Sequence, residues 1–374
     1  MAKIFYSMAG EGRGHAARVR SMVELLRHEH ELVLFATDQA HEFLSPRYPL
    51  GTRNVEVRRI PGLRFHYTRS RLNFSRTVFN GLGYLWKLPQ LVSQLKQVIR
   101  DEQPDLVITD FEPALPRAAR ACGVPFLSLN HQHFLVACDL RSLPWSLQRY
   151  ADLMGIAVRA HHWGQAETIV SSFFQAPLRR GYDEVQQVGP LLRPEIQAVQ
   201  PIIGDFLVSY LRHNTPPRVI EILSKSPRPI RVYGLGPRRR TGSITFCELS
   251  EQGFVDDLAR CAAVVGAAGN QTLGESLYLG KPVLALPEEQ HHEQLINSHF
   301  LEQMGAGQFI AIEQLEPRHL TRFLASLDEL RAPLQANRNR FCGNEAALQT
   351  IQTYLPSSFI ARAPEPECEF MEYT

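Results

Sequence analysis

The stretch VVGAAGNQTLGESLYLGKPVLALPEEQHHEQLINS, Val264 to Ser298, sets the frame for the chain. A short apolar run closes on small residues, a helix-period segment follows from Asn270, Gly280-Lys281-Pro282 breaks it, and VLAL is a second apolar run before another helix-period segment. Buried strands read as brief apolar runs, and helices as longer periodic ones. The pattern is therefore strand, helix, strand, helix, which implies a parallel sheet covered on both faces.

The same alternation opens the chain. KIFYSM is followed by AGEGRGH, then by the helical AARVRSMVELLRHEH and the strand-like ELVLFATD. It continues through VEVRRI, a long helix from about Leu72 to Asp101, PDLVITDFEPA, VPFLSLNHQH and ETIVSS. Between Gln175 and Glu195 it lapses into Pro, Gly and charge. The expected organisation is α/β, two doubly wound parallel-sheet domains facing a cleft. The boundaries are 1–178, a linker 179–198, a second domain 199–355, and a Pro-rich acidic tail 356–374 expected to be poorly ordered.

With 374 residues, 44% hydrophobic and 21% charged, the chain can fill two cores. A formal net charge of +2 gives no reason to expect a nucleic-acid partner. Six scattered cysteines, none in a C-x-x-C pair, suit a reducing cytoplasm. The N-terminus reaches its glycine loop too early for a signal peptide, and no run has the ~18 apolar residues of a spanning helix.

Candidate site residues cluster at strand ends. Gly10, Gly12 and Gly14 let backbone approach an anion at a helix start. The position that would complete G-x-G-x-x-G holds His15, so the dinucleotide fingerprint is broken, although Asp38 could serve as the ribose acid of an oxidoreductase. His15 at a helix N-terminus suits a general base, or merely caps the turn. Asp110 ends a buried strand and could orient a histidine, or act as N-cap for the helix near Pro113. Gly269, Asn270, Gln271 and Thr272 open a helix whose positive end suits a diphosphate. Glu275 could accept hydrogen bonds from a ribose diol, while Glu293 and Gln294 offer a carboxylate and an amide to a hydroxyl-rich ring. Ordinary capping boxes explain each helix start separately.

This constellation resembles the nucleotide-sugar site of GT-B glycosyltransferases, the superfamily of the UDP-glycosyltransferases and the peptidoglycan lipid glycosyltransferase. The likeness spans nearly the whole chain, and DFEP, HQHF and GKP…EQ look like its bacterial and archaeal branch of mostly unassigned specificity. The resemblance implies His15 as the base that activates the acceptor and Asp110 as its partner. It implies backbone contacts from Phe254 and Val255 to the nucleobase, Gly269 to Thr272 on the diphosphate, Glu275 on the ribose, and Glu293 with Gln294 on the donor sugar. Ala267 and Asn270 depart from the His and Trp of plant members, so the diphosphate must lean on backbone amides and the N-terminal glycine loop.

His131 and His133 are expected on the acceptor side, one of them a substitute base; no carboxylate or cysteine cluster completes a metal site around them. From Val57 to Arg100 there is no Asp or Glu, and arginines including Arg64 and Arg71 alternate with aromatics, which suits an anionic acceptor or membrane surface. The expected activity is metal-independent, cofactor-free, inverting transfer from a UDP-linked sugar to a hydroxyl on a glycan, a lipid-linked or a small-molecule acceptor, at or near the inner face of the membrane. A non-hydrolysing sugar-nucleotide epimerase and a catalytically silent nucleotide-sugar binder are the alternatives.

Overall fold

The computed structural model describes residues 1–10, 13–62, 67–68, 71–72, 74–161, 164–288 and 290–356. Its first half runs β1 (Lys3–Met8), α1 (Arg13–Leu26), β2 (Glu31–Ala36), α2 (Asp38–Leu44), β3 (Val55–Arg59), β4 (Tyr67–Thr68), β5 (Arg71–Leu72), α3 (Phe74–Glu102), β6 (Leu106–Asp110) and α4 (Ala114–Cys122). It continues with β7 (Phe126–Asn130), α5 (Phe134–Ala137), α6 (Trp145–His161), β8 (Glu167–Ser171), β9 (Gln186–Val188) and α7 (Pro194–Ala198). The second half holds β10 (Leu207–Tyr210), α8 (Pro217–Ser224), β11 (Ile230–Tyr233), β12 (Ile244–Phe246), α9 (Glu251–Arg260), β13 (Ala263–Gly266) and α10 (Asn270–Tyr278). It closes with β14 (Val283–Ala285), α11 (His292–Gln303), β15 (Gly307–Phe309), α12 (Pro317–Ala325), α13 (Leu327–Ala336) and α14 (Asn344–Thr353).

Two parallel sheets result. The first is ordered β3-β2-β1-β6-β7-β8-β9 and the second β12-β11-β10-β13-β14-β15. Each reverses direction once, between β1 and β6 and between β10 and β13, and crevices at such reversals bind ligands beyond the carboxyl ends of the strands. Every residue of β6 and of β7 is buried, as expected for strands covered on both faces.

The domain boundary differs from the expected one. The stretch read as a linker contributes β9 to the edge of the first sheet, and α14 returns to that domain. Ala347 and Ile351 of α14 share a core with Tyr6, Val19 and Val188, and Asn344 exchanges hydrogen bonds with the Leu192 backbone at 2.7 and 2.9 Å. Polar surroundings hide a three-residue strand such as β9 from a reading of hydrophobic runs.

The domains share an apolar joint on one side of the cleft. Phe174 stacks on Phe300 at 3.8 Å, and Phe134, Phe173, Leu273 and Ile296 belong to one cluster that crosses the boundary. Among the described residues no helix is long and apolar enough to cross a membrane, and Cys122, Cys138, Cys247, Cys261 and Cys342 are free thiols. The tail expected to be poorly ordered lies, from residue 357 onward, outside the described residues.

Candidate active site

The end of β1 turns into α1 through Gly10, where a Cβ would collide with the Thr37 backbone. This close approach sets the first turn of α1 beside the end of β6, and Ala9 N–H donates to the Asp110 carbonyl at 2.9 Å. His15 Nδ1 then lies 2.9 Å from Asp110 Oδ1. Because an ionised carboxylate only accepts, Nδ1 is the donor in this contact, and Nε2 is the ring nitrogen that Asp110 leaves free.

Asp110 is wholly buried, and it has a second partner one helical turn beyond His15. Arg18 grips both carboxylate oxygens, Nε to Oδ2 at 2.8 Å and Nη2 to Oδ1 at 2.8 Å. Burial alone would raise the Asp110 pKa, but the Arg18 charge, His15 and their hydrogen bonds hold it below the ordinary carboxylate value. The N-cap alternative for Asp110 is excluded. Glu112 caps α4 instead, accepting from Ala114 N at 2.7 Å and Leu115 N at 2.9 Å.

From the second domain, α10 packs against α1. Its N-cap is Gly269, which has no side chain to offer, so among the described residues the positive end of the helix has no N-cap side-chain bond. Glu293 is half-buried in the first turn of α11; burial pushes its pKa up, while His15 and the Arg18 charge oppose the rise. Gly14, in the first turn of α1, has open space where a Cβ would sit.

Several expected ligand residues are otherwise engaged. Glu275 is 2% exposed and receives Arg193 Nε at 2.8 Å and Nη2 at 2.7 Å, with Gln271 Nε2 at 2.9 Å, so both of its carboxylate oxygens already accept within the protein. Asn270 ties the domains together, giving Nδ2 to the Ser171 carbonyl and accepting from Phe173 N–H, both at 3.2 Å. Gln271 also donates to the Leu191 carbonyl at 2.9 Å. Of that quartet, Gly269 and Thr272 keep no side-chain tie to the linker or the other domain.

Both residues expected to meet the nucleobase through their backbone lie on α9. Phe254 N–H is spent inside α9 on the Ser250 carbonyl at 3.0 Å, and Val255 is fully buried in the core. Gln294 is buried, its Oε1 accepting from Glu288 N–H at 3.2 Å, so it braces the loop before α11.

Neither histidine of HQH lines an open acceptor surface. His131 is 1% exposed, with Nε2 3.3 Å from Asn297 Oδ1 of the second domain, and burial depresses its pKa to about 3. His133 is buried against Asn130 and Ser128. Among the described residues no three side chains of His, Cys, Asp or Glu converge as a metal site.

Gly12 and Arg64 lie outside the described residues, and only the backbone of Arg71 is described. Elsewhere in the basic segment Arg58 pairs with Glu56 and Glu102, and Arg59 lies 3.8 Å from Asp38, so part of that charge is neutralised. Reading by sequence missed Arg18 and Arg193. His15-x-x-Arg18 spacing, which places both on one helix face, was the available signal for the first.

A family model described as Glycosyl transferase family 1 matches residues 2–328. A UDP-N-acetylglucosamine–N-acetylmuramyl-(pentapeptide) pyrophosphoryl-undecaprenol N-acetylglucosamine transferase of Haemophilus influenzae is 23% identical over 347 residues, covering 86% of this chain and 88% of its own. An uncharacterized glycosyltransferase of Methanosarcina acetivorans is 25% identical over 337 residues, covering 82% of each chain. Among solved structures, Arabidopsis thaliana UGT89C1 complexed with UDP-L-rhamnose superposes with a TM-score of 0.66 at 13% identity, covering 94% of this chain and 98% of its own.

Proposed function

This chain belongs to glycosyl transferase family 1, has the GT-B fold and is a nucleotide-sugar-dependent glycosyltransferase, and on that premise we propose that His15 is the general base for an acceptor hydroxyl. The observation that carries this reading is the His15–Asp110 contact at 2.9 Å, at the start of α1 and the reversal point of the first sheet. Nε2 takes the hydroxyl proton as the O–H bond breaks. The freed oxygen pair attacks the anomeric carbon, and the bond to the diphosphate departs with its electrons. Attack opposite the leaving group inverts the anomeric centre.

The start of α10 at Gly269 supports a seat for the departing diphosphate, whose charge its amides and dipole would stabilise without a metal. Glu293, held near His15 and partly buried, is the group best placed to meet a sugar hydroxyl. The family match favours transfer over the epimerase and silent-binder readings.

The Haemophilus relative is named for a UDP-linked donor and an undecaprenol-linked acceptor, so UDP and a lipid-linked or cell-envelope glycan acceptor are the choices we favour. That acceptor class goes with peripheral attachment at a membrane. The test is UDP release from UDP-sugars with a panel of lipid-linked and soluble glycan acceptors. Acceptor-dependent release by the wild type, lost in His15→Ala with UDP affinity unchanged, supports the assignment; release that survives in His15→Ala refutes it.

A further inference from the structure

Arg18 is 3% exposed and so touches no substrate, yet it holds the carboxylate on which the base depends. We propose that Arg18 is a positioning residue acting through Asp110: it keeps that carboxylate ionised and aimed at His15, while its own charge prevents the pair from trapping His15 as an imidazolium. This rests on His15 being the base.

The reasoning is electrostatic. A buried carboxylate facing only an imidazole raises that ring's proton affinity, and a ring that already holds both protons cannot accept another. A guanidinium is permanently charged and its fork matches both carboxylate oxygens. Here Nη2 lies 2.8 Å from Asp110 Oδ1 and 3.1 Å from His15 Nδ1, so two donors share one oxygen. Arg18 and Asp110 already sum to zero charge. A protonated His15 would add an uncompensated cation against the guanidinium, and the neutral ring is the form that can remove a proton.

The other groups facing the cluster do not replace Arg18. Tyr6 Oη, from β1, is buried without a hydrogen-bond partner among the described residues, and burial with the Asp110 charge keeps it protonated. His131, beyond β7, is held neutral by burial, with the Arg18 charge adding to the effect. Glu293, from α11, is pushed toward its protonated form by burial. Among the described residues named here, Arg18 is the fixed positive charge.

The test needs no substrate. In protein labelled with ¹⁵N-histidine, with the His15 ring identified by its loss in His15→Gln, the wild-type ring at pH 7.5 should show one protonated nitrogen and one bare. Arg18→Gln, which keeps polar donors but removes the charge, should show both nitrogens protonated at the same pH. Arg18→Lys, which restores the charge, should return the bare nitrogen. Arg18→Gln should also lower kcat for UDP release at pH 7 by about tenfold or more, recovering toward pH 9, with the KM for the UDP-sugar unchanged. If Arg18→Gln leaves the ring singly protonated, the proposal is overturned even if His15→Ala is inactive. If the ring changes as expected while His15→Ala still turns over, the Arg18 effect stands and the base assignment falls. Should Arg18→Gln not fold, Arg18→Lys decides: a ring that keeps one bare nitrogen supports the proposal, and a doubly protonated ring overturns it.

Discussion

His15 Nδ1 and Asp110 Oδ1 meet at 2.9 Å although 95 residues separate them, because α1 starts where β1 and β6 end side by side. Asp110→Asn keeps the size of the side chain but removes the charge that orients the ring. It should lower kcat by about 10²–10⁴-fold, the span of a general-base contribution, with little change in UDP affinity by calorimetry. Loss of UDP affinity with kcat preserved would move Asp110 to donor binding.

Arg193 and Glu275 form a bidentate pair at 2.7 and 2.8 Å, buried between the interdomain segment and α10. Gly274, where a Cβ would strike Pro190, lets helix and segment approach closely enough for the pair to form. Glu275→Ala removes the bidentate partner and leaves buried Arg193 with Glu251 at 2.7 Å, so it should cost about 1.5–3 kcal/mol in urea unfolding. Arg193→Met with Glu275→Leu should recover much of that loss. Unchanged stability in Glu275→Ala, together with lost UDP binding, would instead restore the ribose role expected from sequence.

Buried His131 and half-buried His291 predict the acid limb of stability. Burial depresses His131 to about 3, and burial with the Arg212 charge depresses His291 to about 4, each from an ordinary 6.5. Between those values and 6.5 the unfolded chain binds protons that the native state refuses, so stability rises with pH there. The Tm should be flat above about pH 6.5 and fall toward pH 4, and His131→Gln should flatten part of that fall. A wild-type Tm independent of pH across this range would contradict the burial of both rings.

Gly10→Ala should displace the turn that aims α1 at β6, since the new methyl meets the Thr37 backbone. It should lower the Tm and lower kcat more than it raises the KM for the UDP-sugar. An unchanged kcat would show that the turn adjusts without moving His15.

The two-domain α/β plan was legible because buried parallel strands leave unbroken apolar runs such as LVIT and FLSL, and long helices leave a period. His15, Asp110 and Gly269 were legible because strand ends and helix starts are where such sheets bind ligands. The side chains of Glu275 and Asn270 are engaged within the protein for a physical reason. A helix start names the polar residues available, but packing against the 189–193 segment and against Ser171 decides which of them face the cleft. Arg193 gave no local pattern, since its partner lies 82 residues away. The capping at α4 was similarly ambiguous, because Asp110 and Glu112 both precede that helix and only the fold assigns the task to Glu112.

The central claim is that the second domain seats a nucleoside diphosphate at the start of α10, the helix that packs against α1. Thermal-shift titration with UDP, GDP, dTDP and ADP, and with NAD as control, tests it most directly, because a ligand bound only by the native state raises its apparent stability. The account predicts a saturable rise in Tm with UDP, retained in His15→Ala, and none with NAD. A rise with NAD and with no nucleoside diphosphate would contradict it.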